Sequence, residues 1–167
     1  MKLKKINILL LTFILFLTMI GTVAFASVPN TYFSYQVSNS KGAPVLSEPA
    51  TTAKKLGTLK KGTCVSITEV KEDKTKITWG KTVNGTYINI ANLKSVSNTM
   101  TKGKFITNKN FVPLRYTPLE TAKIQKYIEN KGTVVTIIKS YFDDKGNKWG
   151  TTSDGFEVNF VNLQAYK

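Results

Sequence analysis

The sequence contains no histidine and a single cysteine, and both shortages restrict what its 167 residues can do. Without histidine the chain lacks the commonest general base and the usual partner of a nucleophilic side chain, which excludes a Cys–His peptidase. One cysteine excludes an internal disulfide, so packing and sheet closure must stabilise an exported domain of this size. We interpret Cys64 as a small buried hydrophobic residue, because Val134 is its counterpart later in the chain.

Acidic residues are also scarce, with 10 Asp and Glu against 24 Lys and Arg, a net charge of +14. Asp143 and Asp144 lie in "DDKGNK", which is typical of a solvated hairpin turn and not of a glycosidase carboxylate pair. The loop is too short for a helix–loop–helix calcium site and lacks its terminal Glu. We predict a non-enzymatic protein with no catalytic residue, no metal site and no cofactor.

The first 26 residues have the order of a secretory signal peptide. Three lysines within the first five residues precede an apolar run over residues 8–20, and the small residues Ala24 and Ala26 follow. An uncleaved anchor is the alternative, because the run nearly reaches the ~20 apolar residues of a spanning helix. Cleavage after Ala26 leaves a net charge near +11 and a secreted or wall-associated protein without stable membrane insertion.

The remaining chain carries one pattern twice. Residues 62–93 lie on residues 132–163 with a constant shift of 70, and 12 of these 32 positions are identical, where chance gives roughly two. Upstream the shift is 69, the match begins near Val37 and Ile106, and one residue is inserted in the second copy before Gly132. The identical positions of the first copy are Gly62, Thr63, Val65, Ile67, Asp73, Trp79, Gly80, Thr82, Gly85, Asn89, Asn92 and Leu93.

This duplication predicts two domains behind the signal peptide. The first covers residues 27–96 with an N-terminal arm, a polar linker covers residues 97–103, and the second domain covers residues 104–167. In the arm, Tyr32, Phe33 and Tyr35 are too aromatic for a plain tail, so we expect an added edge strand or packing on the first domain.

Each copy has the pattern of short strands. Residues 65–69 and 134–140 are rich in β-branched side chains. "NG" at Asn84 and "DG" at Asp154 are hairpin signals, because both central residues of such a turn need positive φ. The segments that follow, "YINI" and "FEVNF", alternate between apolar and polar residues. Five or six strands in about 60–65 residues predict a small, partly open β-barrel.

The proline-bounded segments 44–49 and 113–118 should not contain central strands, because proline lacks the N–H that a strand donates. We expect them to form a long excursion between two strands.

The ordered set "KLGTLKKGTCVSITEV", "ITWGKT" and "NGTYINIANLK" resembles the bacterial Src-homology-3-like domain. The set "IQKYIENKGTVVTIIKS", "KWGTT" and "DGFEVNFVNLQ" repeats the resemblance. It implies small five- to six-stranded barrels on exported bacterial proteins that commonly bind peptidoglycan, or in some relatives teichoic acids or host-cell polymers. Many members place Trp just after the glycine turn, where this chain has Thr86-Tyr87 and Phe156-Glu157.

Candidate ligand contacts come from aromatic and amide side chains. The tryptophans kept in both copies could be core anchors, which we favour, or exposed platforms, and the asparagines kept in both could bond a ligand or their own loop. Rings of the second copy replace Ser47, Thr58, Lys71 and Glu72, and these rings could stack on sugars or bury the contact between the two barrels. The predicted ligand-binding residues are Tyr87, Asn89, Tyr116, Tyr141, Phe142, Asn159, Trp79 and Trp149.

Candidate polyanion contacts come from lysine doublets. Lys54, Lys55, Lys60 and Lys61 fall on loops of the first copy, and Arg115 alone could offer bidentate geometry. Ordinary solubility charge is the alternative interpretation, although a net charge near +11 exceeds that need.

Together these features predict an all-β, secreted, non-catalytic, monomeric protein of two tandem Src-homology-3-like barrels after a signal helix. We expect it to attach to the bacterial cell wall through peptidoglycan or teichoic acid. The alternative is a secreted adhesin, effector or accessory subunit that binds a partner protein. Nucleic acid fits the charge, but export argues against it.

Overall fold

The computed structural model describes residues 32–97 and 101–167, so the predicted signal peptide lies outside the described residues. The described chain is all-β, as predicted, with two 3-10 turns at Ile90–Asn92 and Phe160–Asn162 as its helical segments. None of its helices is long and apolar enough to cross a bilayer. The strands are β1 Phe33–Val37, β2 Ala43–Leu46, β3 Lys55–Leu59, β4 Cys64–Glu72, β5 Thr78–Thr82, β6 Tyr87–Asn89, β7 Leu93–Ser95, β8 Gly103–Thr107, β9 Val112–Arg115, β10 Ile124–Ile128, β11 Val134–Phe142, β12 Lys148–Thr152, β13 Glu157–Asn159 and β14 Leu163–Ala165.

These strands form two seven-stranded antiparallel sheets with the same order. The first sheet runs β3-β2-β6-β5-β4-β1-β7 and the second runs β10-β9-β13-β12-β11-β8-β14, so each strand is replaced by the one seven later. We call residues 32–97 the first repeat and residues 101–167 the second repeat. The duplication in the sequence therefore extends to strand order and pairing.

The register corrects the upstream end of the sequence alignment. Val37 pairs with Leu93, and Thr107 pairs with Leu163, so Thr107 and not Ile106 is the counterpart of Val37. The link between β1 and β2 is one residue longer than its counterpart in the second repeat, and the link between β10 and β11 is one residue longer than its counterpart in the first. The two single-residue differences cancel, and sequence matching detected the second one alone.

The expectation that the aromatic arm packs on the first domain is confirmed, since Tyr35 packs against its core, but the arm does not form an edge strand. Phe33–Val37 is β1, which pairs with β4 on one side and β7 on the other, so it is an interior strand of the first sheet. Tyr32, just before it, is buried against the second repeat.

The prediction that the proline segments contain no central strand is wrong. β2 contains Pro44 and lies between β3 and β6, and β9 contains Pro113 and lies between β10 and β13. The missing N–H is tolerated because β2 meets β6 only at Leu46, and β9 meets β13 only at Arg115. Pro44 and Pro113 therefore lie outside the residues at which β2 pairs with β6 and β9 pairs with β13.

Each repeat has its own apolar core. Val37, Val65, Ile67 and Ile88 are buried in the first, with Ala43, Val45, Leu59 and Leu93. The second core contains Val112, Leu114, Val135, Ile137, Val158 and Leu163. The alternation predicted for "YINI" is confirmed at Ile88, which is fully buried between two half-exposed neighbours.

An aspartate closes the same hairpin in both repeats and binds the indole of the following strand. Asp73 accepts hydrogen bonds from Thr75 and Ile77 and from Trp79 Nε1 at 2.8 Å. Asp143 accepts the N–H of Asn147 and of Trp149 Nε1 at 2.9 Å. The hydrogen bonds from Thr75 and then Trp79 lower the pKa of Asp73 to about 2. The hydrogen bond between the indole and the aspartate explains why both copies have the same aspartate and the same tryptophan.

The core of the second repeat approaches the backbone closely at Gly150. A Cβ at this residue would lie 2.8 Å from Phe160 Cε2 and 3.0 Å from Ile137 Cδ1, whereas a Cβ at Gly57 would meet nothing within 4 Å. We expect Gly150→Ala to lower the free energy of unfolding by about 1–3 kcal/mol, the usual cost of overpacking. Urea denaturation measures it, with Gly57→Ala as the matched control. Equal stabilities for the two variants would contradict this packing.

Candidate functional site

Three of the predicted ligand-binding rings lie in the interior. Trp79 and Trp149 are 2% and 1% exposed, which confirms the core interpretation and corrects their inclusion as ligand contacts. Tyr141 is 1% exposed, although the sequence suggested an exposed loop position. It lies on β11 and packs with Tyr32 and Trp149 in a cluster that joins the two repeats. These side chains stabilise the protein and do not present a binding surface.

Arg115 is also corrected as a polyanion contact. Its side chain is 7% exposed, and Nε and Nη2 donate to the carbonyl oxygens of Leu119 and Glu120 at 3.1 and 2.9 Å. The guanidinium therefore holds the loop between β9 and β10 and cannot reach a polymer in solution.

The conserved asparagines bond their own loops, which was one of the two interpretations of the sequence. Asn89 and Asn159 each cap a 3-10 turn by accepting a backbone N–H, from Ala91 and Val161 respectively, at 2.9 Å. Asn159 is buried and also donates Nδ2 to Glu120 Oε1 at 2.5 Å. The side-chain oxygens of both residues are therefore engaged by their own loops, and for Asn159 the amide nitrogen is engaged as well.

The remaining predicted residues are accessible to different degrees. Tyr87 and Phe142 are half-buried, and the lysines Lys54, Lys55, Lys60 and Lys61 are exposed. Tyr116 is partly exposed and stacks on Phe156 with ring centroids 5.2 Å apart. Of the predicted rings, Tyr116 therefore comes closest to an accessible aromatic platform.

An open groove of about 560 Å³ lies in the second repeat, close to that ring pair. One wall is β10, the opposite wall is the start of β11, and the turn between β12 and β13 closes one end. We call it the open groove. Its lining residues are Leu114, Lys126, Tyr127, Ile128, Thr133, Val134, Val135, Thr136, Thr152, Ser153 and Asp154.

Both apolar and charged groups of the open groove reach solvent. Tyr127 is 50% exposed and Val134 is 48% exposed. Lys126 Nζ lies 2.5 Å from Asp154 Oδ2 and 4.3 Å from the centroid of the Phe156 ring. Burial raises the pKa of Asp154, but hydrogen bonds from Lys126 and Thr152 outweigh burial and lower it below its ordinary value. The groove thus offers an apolar floor with one ion pair at its end.

The equivalent groove of the first repeat is filled by the second repeat. The last residue of β11 and the turn that follows it, residues 142–146, lie over Thr63, Ser66 and Asn84. These three residues correspond to the lining residues Thr133, Thr136 and Asp154. We call residues 142–146 the plug. A cavity of about 240 Å³ is left beside it, lined by strand residues of the first repeat together with Asp144 and Lys145.

Specific hydrogen bonds hold the plug. Phe142 N donates to Ser66 Oγ at 3.0 Å, and Asp144 N donates to Asn84 Oδ1 at 3.3 Å. Thr86 Oγ1 donates to Asp144 Oδ2 at 3.0 Å. Burial raises the pKa of Asp144 above its ordinary value. The predicted turn is present, but the prediction that it is solvated is wrong, since Asp143 is 2% exposed.

Gly146 allows the close approach of the plug. It has φ of +83°, and a Cβ built on it would lie 2.3 Å from Thr63 Cγ2. Cys64, next to this contact, is half-buried and not fully buried as expected. The sequence signal for the plug was the break in the repeat at this turn, where Lys74 and Lys76 of the first copy become Asp144 and Gly146.

A second contact ties the repeats together beside the plug. The Tyr32 hydroxyl donates to the carbonyl oxygen of Ser140 on β11, and its ring packs edge-on against Tyr141 at 5.8 Å. Burial raises the pKa of Tyr32 to about 12. The aromatic arm thus joins the plug in docking the first repeat onto the second, which supports the interpretation of Tyr141 as a contact between repeats.

The acids of the second repeat lie in different surroundings. Asp154 is the one carboxylate that lines the open groove. Glu157 is buried and accepts a hydrogen bond from Thr151 Oγ1 at 3.1 Å. Burial raises the pKa of Glu157, while the hydroxyls of Tyr141 and Thr151 and the Lys139 cation act against that rise. Within residues 32–97 and 101–167, no group of three or more Cys, Asp or Glu side chains is placed to hold a metal ion.

No family model and no curated protein sequence matches this chain.

The buried Glu157 carboxyl predicts a pH-dependent stability. Its pKa is raised in the folded protein, so its contribution to stability is complete in acid and is lost as pH rises through the folded pKa. We expect the free energy of unfolding of Glu157→Gln to rise relative to wild type between about pH 4 and pH 8. Urea titrations across this range measure the difference, with Glu48→Gln at an exposed loop as control. A difference that shrinks with rising pH would contradict the assignment.

Proposed function

We propose that this chain is a secreted, non-catalytic binding protein that attaches to the bacterial cell wall. The ligands are peptidoglycan and anionic wall polymers such as teichoic acid. Each repeat would be a Src-homology-3-like barrel, which is supported by the ordered sequence motifs and by seven short antiparallel strands in the same order in both repeats.

The observation that carries this proposal is a group of exposed lysines in the first repeat. Lys54, Lys55, Lys60 and Lys61 flank or begin β3 and are all exposed. No ion pair found between described residues engages any of them. With a chain net charge of +14, these cations are free to associate with phosphate-bearing polymers, an interaction that salt screens.

The exposed ring pair adds a contact of another kind. Tyr116 and Phe156 stack beside the open groove, and the face of an aromatic ring suits the apolar face of a sugar or a peptide side chain. Lysines would supply the diffuse attraction and the ring pair a local contact.

A second candidate function is a secreted module that binds a partner protein. The observation that favours it is the filled groove of the first repeat, where a β-hairpin from the same chain supplies the ligand. A groove of this shape therefore accommodates folded polypeptide.

Binding to purified wall sacculi, with and without teichoic acid, tests the first function. We expect retention that falls with salt, and about a tenfold weaker association for the variant Lys54→Gln, Lys55→Gln, Lys60→Gln, Lys61→Gln, at roughly 0.3–0.5 kcal/mol for each exposed contact. The matched control changes four exposed lysines of the second repeat, Lys102, Lys104, Lys109 and Lys131, to Gln.

Three results would contradict the proposal. The first is no retention of the chain on either wall preparation. The second is an equal loss of retention by both quadruple variants, which would leave net charge as the sole determinant. Clearing of the wall suspension would show that the protein is catalytic.

A further inference from the structure

We propose that the open groove of the second repeat binds the turn of a β-hairpin presented by another protein, in the way that the groove of the first repeat holds the plug. This inference does not rest on wall attachment, because the lysines proposed for the wall lie in the first repeat.

The two grooves are the same site in two copies. The plug contacts Thr63, Ser66 and Asn84 of the first repeat, directly or through its backbone. With the shift of 70, these residues become Thr133, Thr136 and Asp154, and all three line the open groove. The open groove therefore has the walls of a hairpin site, and no described segment of the chain fills it.

The hydrogen-bond acceptors that receive a hairpin are retained. Ser66 Oγ and Asn84 Oδ1 accept backbone N–H groups of the plug, from Phe142 and Asp144. In the open groove, the Thr136 hydroxyl and the Asp154 carboxylate supply oxygens at the same two positions, and both residues are exposed. Because the donors are backbone N–H groups, the pair selects a tight turn and does not depend on one ligand side chain.

The residues that differ between the two grooves indicate which side chains a ligand of the open groove should carry. Thr86, which donates to the Asp144 carboxylate, is replaced by Phe156, and Gly57 is replaced by Lys126, whose Nζ lies 4.3 Å from the Phe156 ring centroid. An acidic residue at the Asp144 position would therefore meet a cation in place of a hydroxyl. An apolar residue beside it would cover Val134, which is 48% exposed.

A second copy of this chain is a poor occupant. Its plug is already bound to its own first repeat, and its other hairpin has Lys76 at the position of Gly146. A Cβ at Gly146 would lie 2.3 Å from Thr63 Cγ2, and Thr133 keeps that methyl in the open groove. The close approach and the positive φ together favour glycine at that position, which points to a hairpin of another protein that carries an acid and a glycine in its turn.

A cyclic peptide with the sequence of residues 139–151 is a direct probe, because it reproduces the plug. We would titrate it into the ¹⁵N-labelled chain from Ser27 to Lys167 and follow the amide signals. The expected result is saturable shifts at Val134, Thr136, Ser153 and Asp154, with the signals of Ser66 and Asn84 unchanged.

Matched variants test the two acceptors. Thr136→Val should weaken binding about fivefold, the worth of one net hydrogen bond. Asp154→Ala and Asp154→Asn both release Lys126 from its ion pair, so their comparison isolates the acceptor oxygen, and Asp154→Ala should bind about fivefold more weakly than Asp154→Asn. A peptide with Gly146→Ala should not bind. All three positions of substitution lie at the surface or in the peptide, and thermal melts of the protein variants check that they fold.

Several outcomes would overturn the proposal. They are no saturable shift in the open groove, equal binding by Thr136→Val and wild type, displacement of the internal plug from the first repeat, or concentration-dependent shifts of the same residues without peptide, which would indicate a second copy. Shifts caused by soluble muropeptides and not by the hairpin would assign the groove to wall peptide. Loss of hairpin binding with wall retention intact would leave the proposed wall function standing.

Discussion

The turn between β11 and β12 reaches across the repeat boundary and lies in the groove of the first repeat. Two side-chain oxygens, from Ser66 and Asn84, receive two backbone N–H groups of this turn, and a glycine permits the close approach. This contact makes two copies of one fold unequal. It closes one groove, leaves its counterpart open, and brings the acids Asp143 and Asp144 out of solvent.

Several side chains of the second repeat are buried where the two repeats meet. Tyr32 and Tyr141 pack together where the arm crosses, and Asp143 is buried while it holds both its own turn and the indole of Trp149. The side chains that differ most between the copies are thus divided between two tasks. Some, such as Tyr141, join the repeats, and others, such as Tyr127 and Phe156, surround the open groove.

Local patterns predicted most of the fold. The β-branched runs, the glycine turns and the alternation around Ile88 are short-range features, so each can be recognised within one copy. The second copy has the same strand order as the first. The strands that contain proline, β2 and β9, were not predicted. β2 pairs with β6 at Leu46 alone, so the N–H that Pro44 lacks is not needed for that pairing. That information lies in the register and not in the local sequence.

The site was predicted less well, because the burial of a side chain depends on how loops and the other repeat fold over it. Arg and Tyr are residue types often found at the surface. Yet Arg115 is covered by loop carbonyls, and Tyr141 is covered by the aromatic arm. The plug is marked in the sequence by one feature, the replacement of Lys74 and Lys76 of the first copy by Asp144 and Gly146 of the second. Its destination, Ser66 and Asn84, lies about sixty to seventy-six positions away along the chain and carries no pattern of its own.

If the two repeats are unequal in solution, the plug occupies the groove of the first repeat there. The most direct measurement is the nuclear Overhauser effect between the Gly146 α-protons and the Thr63 methyl group, since a Cβ at Gly146 would lie 2.3 Å from that methyl carbon. We expect a strong cross-peak in the wild-type chain. A well-folded chain without this cross-peak would show that both grooves are open and that the two repeats are equivalent.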